Sequence, residues 1–134
     1  NISERLRLYT ALNSLKTEDK LKTFESEVID RFGPLPTEVV DLFDSVKMKW
    51  IGLQFGLEKI MMKQHKMVGY FIPDQSSSFF DSPQFSKLLD FVQKHPKICT
   101  LKEKQTRSGL RLLLTFNKVK TIQEGLQFLQ QISS

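Results

Sequence analysis

The sequence predicts an α+β domain in which a helical N-terminal half precedes a small, mostly antiparallel sheet and two further helices. Apolar residues recur every three or four positions through the first 55 residues, which is the helical period, and alternate in short segments after Gly56, as in strands. The length of 134 residues allows about one packed core, so one domain over residues 1–134 is expected. The predicted element order is α-α-α-β-β-α-β-β-α.

The first two helices are marked by caps at their ends. The first is predicted over roughly 4–15, with Ser3 as N-cap. Its apolar positions are Leu6, Leu8, Tyr9, Leu12 and Leu15. The second begins after the N-cap Thr17 and ends at Gly33, which can adopt the positive φ of a helix C-terminus, and Pro34 prevents continuation. Its predicted buried stripe is Leu21, Phe24, Val28 and Phe32.

The third helix is predicted from Pro36, which suits a first helical turn, to about Phe55. It is rich in apolar residues on several sides, so we expect it to be the central helix. Its main stripe is Val39, Leu42, Phe43, Val46, Trp50 and Leu53. Further apolar groups on its other sides are Met48, Ile51 and Phe55.

Two strand pairs and two helices follow. A first hairpin is predicted around a turn near Gln64 to Lys66. Its inward candidates are Ile60, Met62, Val68, Tyr70 and Ile72. A helix then starts at Ser82-Pro83, with Phe85, Leu88, Leu89 and Val92 as its buried face. A second hairpin turns at "TRSG", and the last helix begins at Thr121 with Glu124 completing a capping box. Its inward residues are Ile122, Leu126, Leu129 and Ile132.

No residue pattern indicates catalysis, a cofactor or a metal. His65 and His95 have no partner at metal-ligand spacing, and Cys99, the single cysteine, lies in an apolar strand context typical of a buried, inert thiol. Phosphate-binding glycine motifs are absent. An enzyme is therefore not expected, and neither a membrane span nor a signal peptide is indicated, which favours the cytoplasm.

The charge differs between the two halves of the chain. Residues 1–46 have a net charge of −3 and residues 47–134 a net charge of +8, within a total of +5. The basic half places lysines and arginines along predicted strands near aromatic residues, which favours a nucleic-acid-binding accessory domain as one interpretation. Lysines that protect sheet edges are the plainer alternative. These basic residues are Lys59, Lys63, Lys66, Lys102, Lys104, Arg107 and Arg111.

The acidic half contains a second candidate site. On a helical wheel, Thr23, Glu27 and Asp30 lie roughly opposite the apolar stripe of the second helix, so they face solvent or a partner. An ordinary solvated helix face is the alternative explanation.

The segment from Leu6 to Phe43 resembles the C-terminal domain of the bacterial transcription-repair coupling factors. The resemblance rests on Leu8-Tyr9, on Glu27, on "DRFGPLP" at residues 30–36 and on Glu38-Val39, and continues more loosely through "LQFGLEKI" and by element order to the end. Members of this family are large ATP-driven DNA translocases that displace stalled RNA polymerase and recruit the excision-repair protein UvrA.

The resemblance implies that this chain is a regulatory domain of such a bacterial cytoplasmic protein. The domain would pack on the N-terminal UvrB-like domain, cover the UvrA-binding surface and restrain the motor until polymerase engages. By resemblance, Glu27 and Asp30 form the interdomain contact, with Thr23 beside them and Arg31 flanking it. No cofactor is expected in the domain, and contacts with UvrA, RNA polymerase and DNA are expected only through the parent protein.

Overall fold

The computed structural model describes residues 2–74, 76–107 and 109–133. Within these residues it contains five α-helices, four strands and one short 3₁₀ helix, Ser78–Asp81. The helices are α1 (Ile2–Ser14), α2 (Glu18–Phe32), α3 (Thr37–Gln54), α4 (Pro83–Lys94) and α5 (Ile122–Ser133). The strands are β1 (Leu57–Lys63), β2 (Lys66–Phe71), β3 (Cys99–Thr106) and β4 (Gly109–Phe116). The α+β class and the predicted element order are confirmed.

The chain divides into two compact units, a first that ends at Lys47 and a second that starts at Met48. The first contains α1, α2 and the start of α3, and the second contains the rest of α3, the sheet, α4 and α5. The expectation of a single domain stays a prediction. No helix in the described part of the chain combines the length and hydrophobicity that a membrane crossing requires.

The helix ends mostly follow the predicted local signals. The Thr17 hydroxyl accepts a hydrogen bond from the Lys20 N–H at 3.2 Å, so Thr17 caps α2. Gly33 ends α2 with φ of 84°, and the Pro36 carbonyl accepts the N–H groups of Val39 and Val40 at the start of α3. The prediction for Ser3 is wrong, because α1 already begins at Ile2 and Ser3 lies inside its first turn.

Several apolar residues of the helical patterns are exposed, among them Phe32 and Leu53 of the predicted stripes. Leu6, Tyr9, Phe32 and Leu53 expose 62%, 53%, 71% and 53% of their surface. Helical periodicity shows which residues share a face, but the packing decides how much of that face is covered. The fully buried apolar side chains of the first unit are Leu12, Leu21 and Phe43, and the Phe24 ring packs against Phe43 at a centroid distance of 5.9 Å. In the second half of α3 the buried residues are Met48, Ile51 and Phe55.

The sheet of the second unit has the order β1-β2-β4-β3, and all neighbouring strands are antiparallel. The first hairpin turns at Gln64 and His65, which both have positive φ (52° and 62°), as a two-residue type I′ turn requires. The second turn contains Gly109 with φ of 106°.

The predicted inward face is correct for β1 and wrong for β2. Ile60 and Met62 pack against the core, but their partners across the ladder are Gly69 and Met67. Residues directly opposite one another lie on the same face of a sheet. The two-residue turn pairs each even-numbered residue of β1 with an odd-numbered residue of β2. The partners of Ile60 and Met62 therefore point inward, and they are odd-numbered. Val68 and Tyr70 therefore lie on the opposite face, and Met67 and Phe71 are buried.

The core of the second unit lies between one face of the sheet and the helices α3, α4 and α5. The sheet contributes Leu57, Met67, Phe71, Cys99, Leu114 and Phe116, and the helices contribute Met48, Ile51, Phe55, Leu88, Phe91, Leu126, Leu129 and Ile132. The predicted caps of both later helices are confirmed: Ser82 accepts the Phe85 N–H at 3.2 Å, and Thr121 accepts the Glu124 N–H at 3.1 Å. The sheet is thus covered on one face by helices of its own unit.

Candidate functional site

The four residues of the predicted contact lie on one exposed side of α2. Thr23, Glu27, Asp30 and Arg31 are all exposed. At about 100° per residue, they span an arc of roughly 100° around the helix. This side of α2 can therefore present two carboxylates, a hydroxyl and a guanidinium to one partner surface.

The two carboxylates of this site form no ion pair with the residues that the structure describes. Among the described residues, neither Glu27 nor Asp30 takes part in an ion pair, whereas Glu25 of the same helix lies 3.9 Å from the Lys47 ammonium. Lys47 also lies 3.8 Å from Asp44 of its own helix, so its two acidic partners are Glu25 of α2 and Asp44 of α3. Glu27 and Asp30 retain their full capacity to accept hydrogen bonds from a cation.

Arg31 has an aromatic neighbour. Its guanidinium carbon lies 5.4 Å from the centre of the Phe32 ring, within the range of a cation–π contact. Phe32 is itself 71% exposed, so the pair forms a partly apolar, positively charged end to the acidic side of α2.

An open groove of about 790 Å³ lies beside this side of α2, within the first unit. It is bounded by α1, by the C-terminal half of α2 and by the turn that leads into α3. Its apolar lining is Leu8, Ala11, Phe24, Val28, Phe32, Gly33, Pro34, Leu35, Pro36 and Val39, and its charged lining is Glu4, Arg7, Glu27, Arg31 and Glu38. The groove is apolar along its length and carries charges of both signs.

Glu27 occupies the most central position among the predicted residues. It lines the large groove and also a smaller depression of about 310 Å³, which Thr23 and Phe24 line as well. Arg31 lines only the groove, and Asp30 lines neither cavity but stands one helical turn from Glu27. The structure therefore brings Thr23, Glu27 and Arg31 to the cavities and leaves Asp30 on the open helix surface.

The turn after α2 sets the direction of the groove wall. Gly33 has φ of 84° and ψ of −166°, a backbone conformation that essentially only glycine adopts. Its N–H donates to the Ile29 carbonyl at 2.7 Å, and no heavy atom lies within 4 Å of the place where a Cβ would stand. Glycine is therefore required here by the backbone conformation, because a side-chain Cβ would meet no neighbouring atom.

The groove was missed in the sequence. The sequence places Leu8 in a helical apolar pattern and Phe32 in a predicted buried stripe, and it indicates for Pro34 and Pro36 only a role in ending one helix and starting the next. One available signal was the concentration of apolar residues in a turn, Phe32 to Leu35, where a solvated loop is usually polar.

The other residues considered for chemistry belong to the second unit. His65 is exposed in the β1–β2 turn, and the centre of the His95 ring lies 4.5 Å from that of the Phe91 ring, with the two rings tilted by 41°. Cys99 is fully buried in the sheet, as predicted, and burial raises the pKa of its thiol to about 11. Within residues 2–74, 76–107 and 109–133, no group of three His, Cys, Asp or Glu side chains could hold a metal ion.

A family model for the TRCF domain matches residues 1–82, which include α1 to α3, the first hairpin and the whole candidate site. The chain belongs to the TRCF domain family.

Three curated relatives of this TRCF domain are named transcription-repair-coupling factor. The chain is 39% identical over 56 residues (42% of its length) to the transcription-repair-coupling factor of Rickettsia conorii. It is 25% identical over 128 residues (96% of its length) to that of Rickettsia prowazekii, and 22% identical over 119 residues (89%) to that of Borreliella burgdorferi. The chain spans only 5%, 11% and 10% of the length of these three relatives.

A solved structure has the same fold. The crystal structure of the C-terminal domain of transcription-repair coupling factor aligns with a TM-score of 0.64 and covers 97% of this chain and 81% of that one, at 18% identity. The resemblance inferred from the "DRFGPLP" segment is confirmed.

Proposed function

We propose that this TRCF domain is the autoinhibitory C-terminal domain of a transcription-repair coupling factor. In this proposal it packs on the N-terminal UvrB-like domain of the same protein, masks the surface that binds UvrA and restrains the ATP-driven DNA translocase. Membership of the family and the names of the relatives support the part of the proposal that makes this chain a domain of a transcription-repair coupling factor. The domain is assigned no catalytic step, and ATP hydrolysis and polymerase binding belong to other parts of the parent protein.

One observation carries the proposal: two exposed carboxylates, Glu27 and Asp30, stand beside an open apolar groove and have no ion pair in the described part of the chain. Carboxylates at this spacing can accept charge-assisted hydrogen bonds from arginines, in the bidentate geometry that guanidinium groups favour. The groove and the exposed Phe32 ring supply apolar surface that only a partner can cover. In this proposal, the surface of the UvrB-like domain that meets α2 is apolar and bears arginines.

The mixed character of this surface suits a releasable contact. Interfaces between domains of one chain are small and polar compared with permanent interfaces, so they open when a competing partner supplies a few kcal/mol. Charge-assisted pairs at a solvent-accessible rim weaken further in salt. Engagement of RNA polymerase could therefore shift the domain to a released state.

The test is a double charge reversal, Glu27→Lys with Asp30→Lys, in the full-length parent protein. Repulsion should open the contact, so we expect tighter UvrA binding and a raised basal ATPase rate. The matched control is Asp81→Lys with Asp90→Lys, which makes the same charge change at exposed residues of the second unit. Unchanged UvrA affinity and ATPase rate in the α2 variant, or equal changes in the control, would contradict the proposal.

A second variant tests the apolar part of the contact. Phe32→Ala removes a ring that is 71% exposed, so the domain should retain its stability. If the ring is buried in the closed parent protein, the variant should also bind UvrA more tightly. A normal UvrA affinity would limit the contact to the charged residues.

A further inference from the structure

The sheet has one face that its own helices leave uncovered, here named the outer sheet face. The ladder pairs Met61 with Val68, Val68 with Thr115 and Thr115 with Thr100, so these residues share a face, and none belongs to the core cluster. Alternation along each strand then assigns the remaining members. The outer sheet face consists of Lys59, Met61, Lys63, Lys66, Val68, Tyr70, Thr100, Lys102, Lys104, Thr106, Gly109, Arg111, Leu113 and Thr115.

The unpaired charge of this face is positive. Five of its residues are exposed lysines, and the carboxylate of Glu58, which reaches this face, is paired with Arg111. Among the described residues, none of the five lysines forms an ion pair. Surfaces that serve only solubility interleave both signs, whereas a single-sign surface attracts counter-charged partners. The lysines are Lys59, Lys63, Lys66, Lys102 and Lys104.

Arg111 has a different role from the lysines. Its guanidinium donates to the Phe71 carbonyl at 2.6 and 3.2 Å and pairs with Glu58, and its side chain is only 11% exposed. This arginine connects three neighbouring strands, and its charge is offset by the carboxylate of Glu58. The five lysines are therefore the charge that the face offers to a ligand.

The lysines form two rows. Between the rows lies an apolar strip, which consists of Met61, Val68, Tyr70 and Leu113. Lys59 and Lys63 lie on the edge strand β1, with Lys66 next to them, and Lys102 and Lys104 lie on the other edge strand, β3. Three strand spacings separate the two edges, which places the rows about 14 Å apart.

The apolar strip is shielded by long side chains. Leu113 is only 8% exposed although it lies outside the core cluster, and its neighbours across the ladder are Tyr70 and Lys102. The Lys59 ammonium lies 5.6 Å from the centre of the Tyr70 ring. Lys59 thus covers part of the strip, and long side chains such as that of Lys102 can pack their stems on neighbouring apolar groups while their charged ends reach solvent.

We propose that the outer sheet face binds the phosphodiester backbone of double-stranded DNA without reading its sequence. Two rows of cations fit a ligand with two rows of anions, and a duplex has one backbone on each side of a major groove about 12 Å wide. A single-stranded ligand would need several exposed rings on which bases stack, but this face has one, Tyr70, which is half-buried and in contact with Lys59. An acidic helix of another protein would present one row of charge.

The test uses the 134-residue chain and a fluorescently labelled 20-base-pair duplex, with anisotropy measured from 50 to 200 mM salt. Neutralising about five phosphates predicts a slope of about −4.5 in log K against log salt, and a loss of affinity of roughly 500-fold over this range. Lys102→Gln with Lys104→Gln keeps the side-chain lengths and removes two charges. This variant should reduce the magnitude of the slope by about 2 and weaken binding at 50 mM salt by about tenfold or more.

The matched control is Lys16→Gln with Lys22→Gln, which removes two charges from exposed residues of the first unit. It should keep the wild-type slope. Poly-glutamate and a single strand of the same charge serve as competitors and should displace the duplex only weakly. Equal loss in the control variant, competition by poly-glutamate at matched charge, or tighter binding of the single strand would each overturn the proposal.

Discussion

Arg111 provides the sharpest test of how the second unit is stabilised. The sequence grouped it with the exposed basic residues, but its guanidinium donates twice to the Phe71 carbonyl and pairs with Glu58. Because Glu58, Phe71 and Arg111 belong to β1, β2 and β4, one side chain joins three strands. We expect Arg111→Met to destabilise the second unit, although Met retains much of the apolar stem.

The expected magnitude follows from these contacts. Hydrogen bonds that involve a charged group contribute about 1.5–3 kcal/mol to stability. The pair with Glu58 adds little, about 0–1 kcal/mol, because that carboxylate is 42% exposed and screened by solvent. Arg111→Met should therefore cost about 2 kcal/mol, Arg111→Lys about half as much because one fork of donors is lost, and Glu58→Gln less than about 1 kcal/mol.

The assay is urea unfolding followed by the fluorescence of Trp50, the single tryptophan, which lies in the second unit. Its signal reports this unit even if the first unit unfolds separately. Circular dichroism gives the total change for comparison. The order Arg111→Met, Arg111→Lys, Glu58→Gln in decreasing cost is the expected result. A cost below about 0.5 kcal/mol for Arg111→Met, or an equal cost for Glu58→Gln, would refute the structural role of the guanidinium.

Three further predictions concern single positions. Gly33→Ala should cost about 1–3 kcal/mol in the stability of the first unit, measured by thermal unfolding, because alanine strains the backbone at φ 84° and ψ −166°; unchanged stability would show that the turn relaxes. Gly56→Ala should be more harmful, since φ is 75° and the Phe79 ring occupies the place of the new methyl group, and a soluble variant with normal unfolding would contradict this packing. Burial raises the pKa of the Cys99 thiol from 9.0 to about 11, so the unfolded chain binds fewer protons between these values. Stability from the neutral thiol is complete below pH 9 and is lost as the pH rises through about 11, and unfolding of Cys99→Ala should lack this alkaline step.

The element order was predictable because its signals are local. Thr17, Gly33, Ser82 and Thr121 end or begin helices through hydrogen bonds and backbone preferences that involve a few neighbouring residues. Such signals act in the same way whatever the rest of the chain does. The same locality explains why both hairpin turns were found.

The inward face of β2 was predicted wrongly for a reason that the turn could have shown. A two-residue turn between Lys63 and Lys66 pairs Met62 with Met67 across the ladder. Val68 is the next residue after Met67, so its side chain lies on the opposite side of the sheet from Met62. Pairing constrains the two strands together, whereas the sequence was interpreted one strand at a time.

The sequence alone determined the element order, most of the helix ends, the family and the acidic side of α2, because each depends on short segments or on a motif. Only the tertiary structure decided which apolar side chains are covered. In the structure, Phe32 is exposed beside a groove, and Leu113 is buried although it lies outside the core cluster. Arg111 is paired with Glu58, whereas the five lysines are not paired in the described part of the chain. Coverage depends on which elements pack against a face, and residues distant along the chain determine that packing.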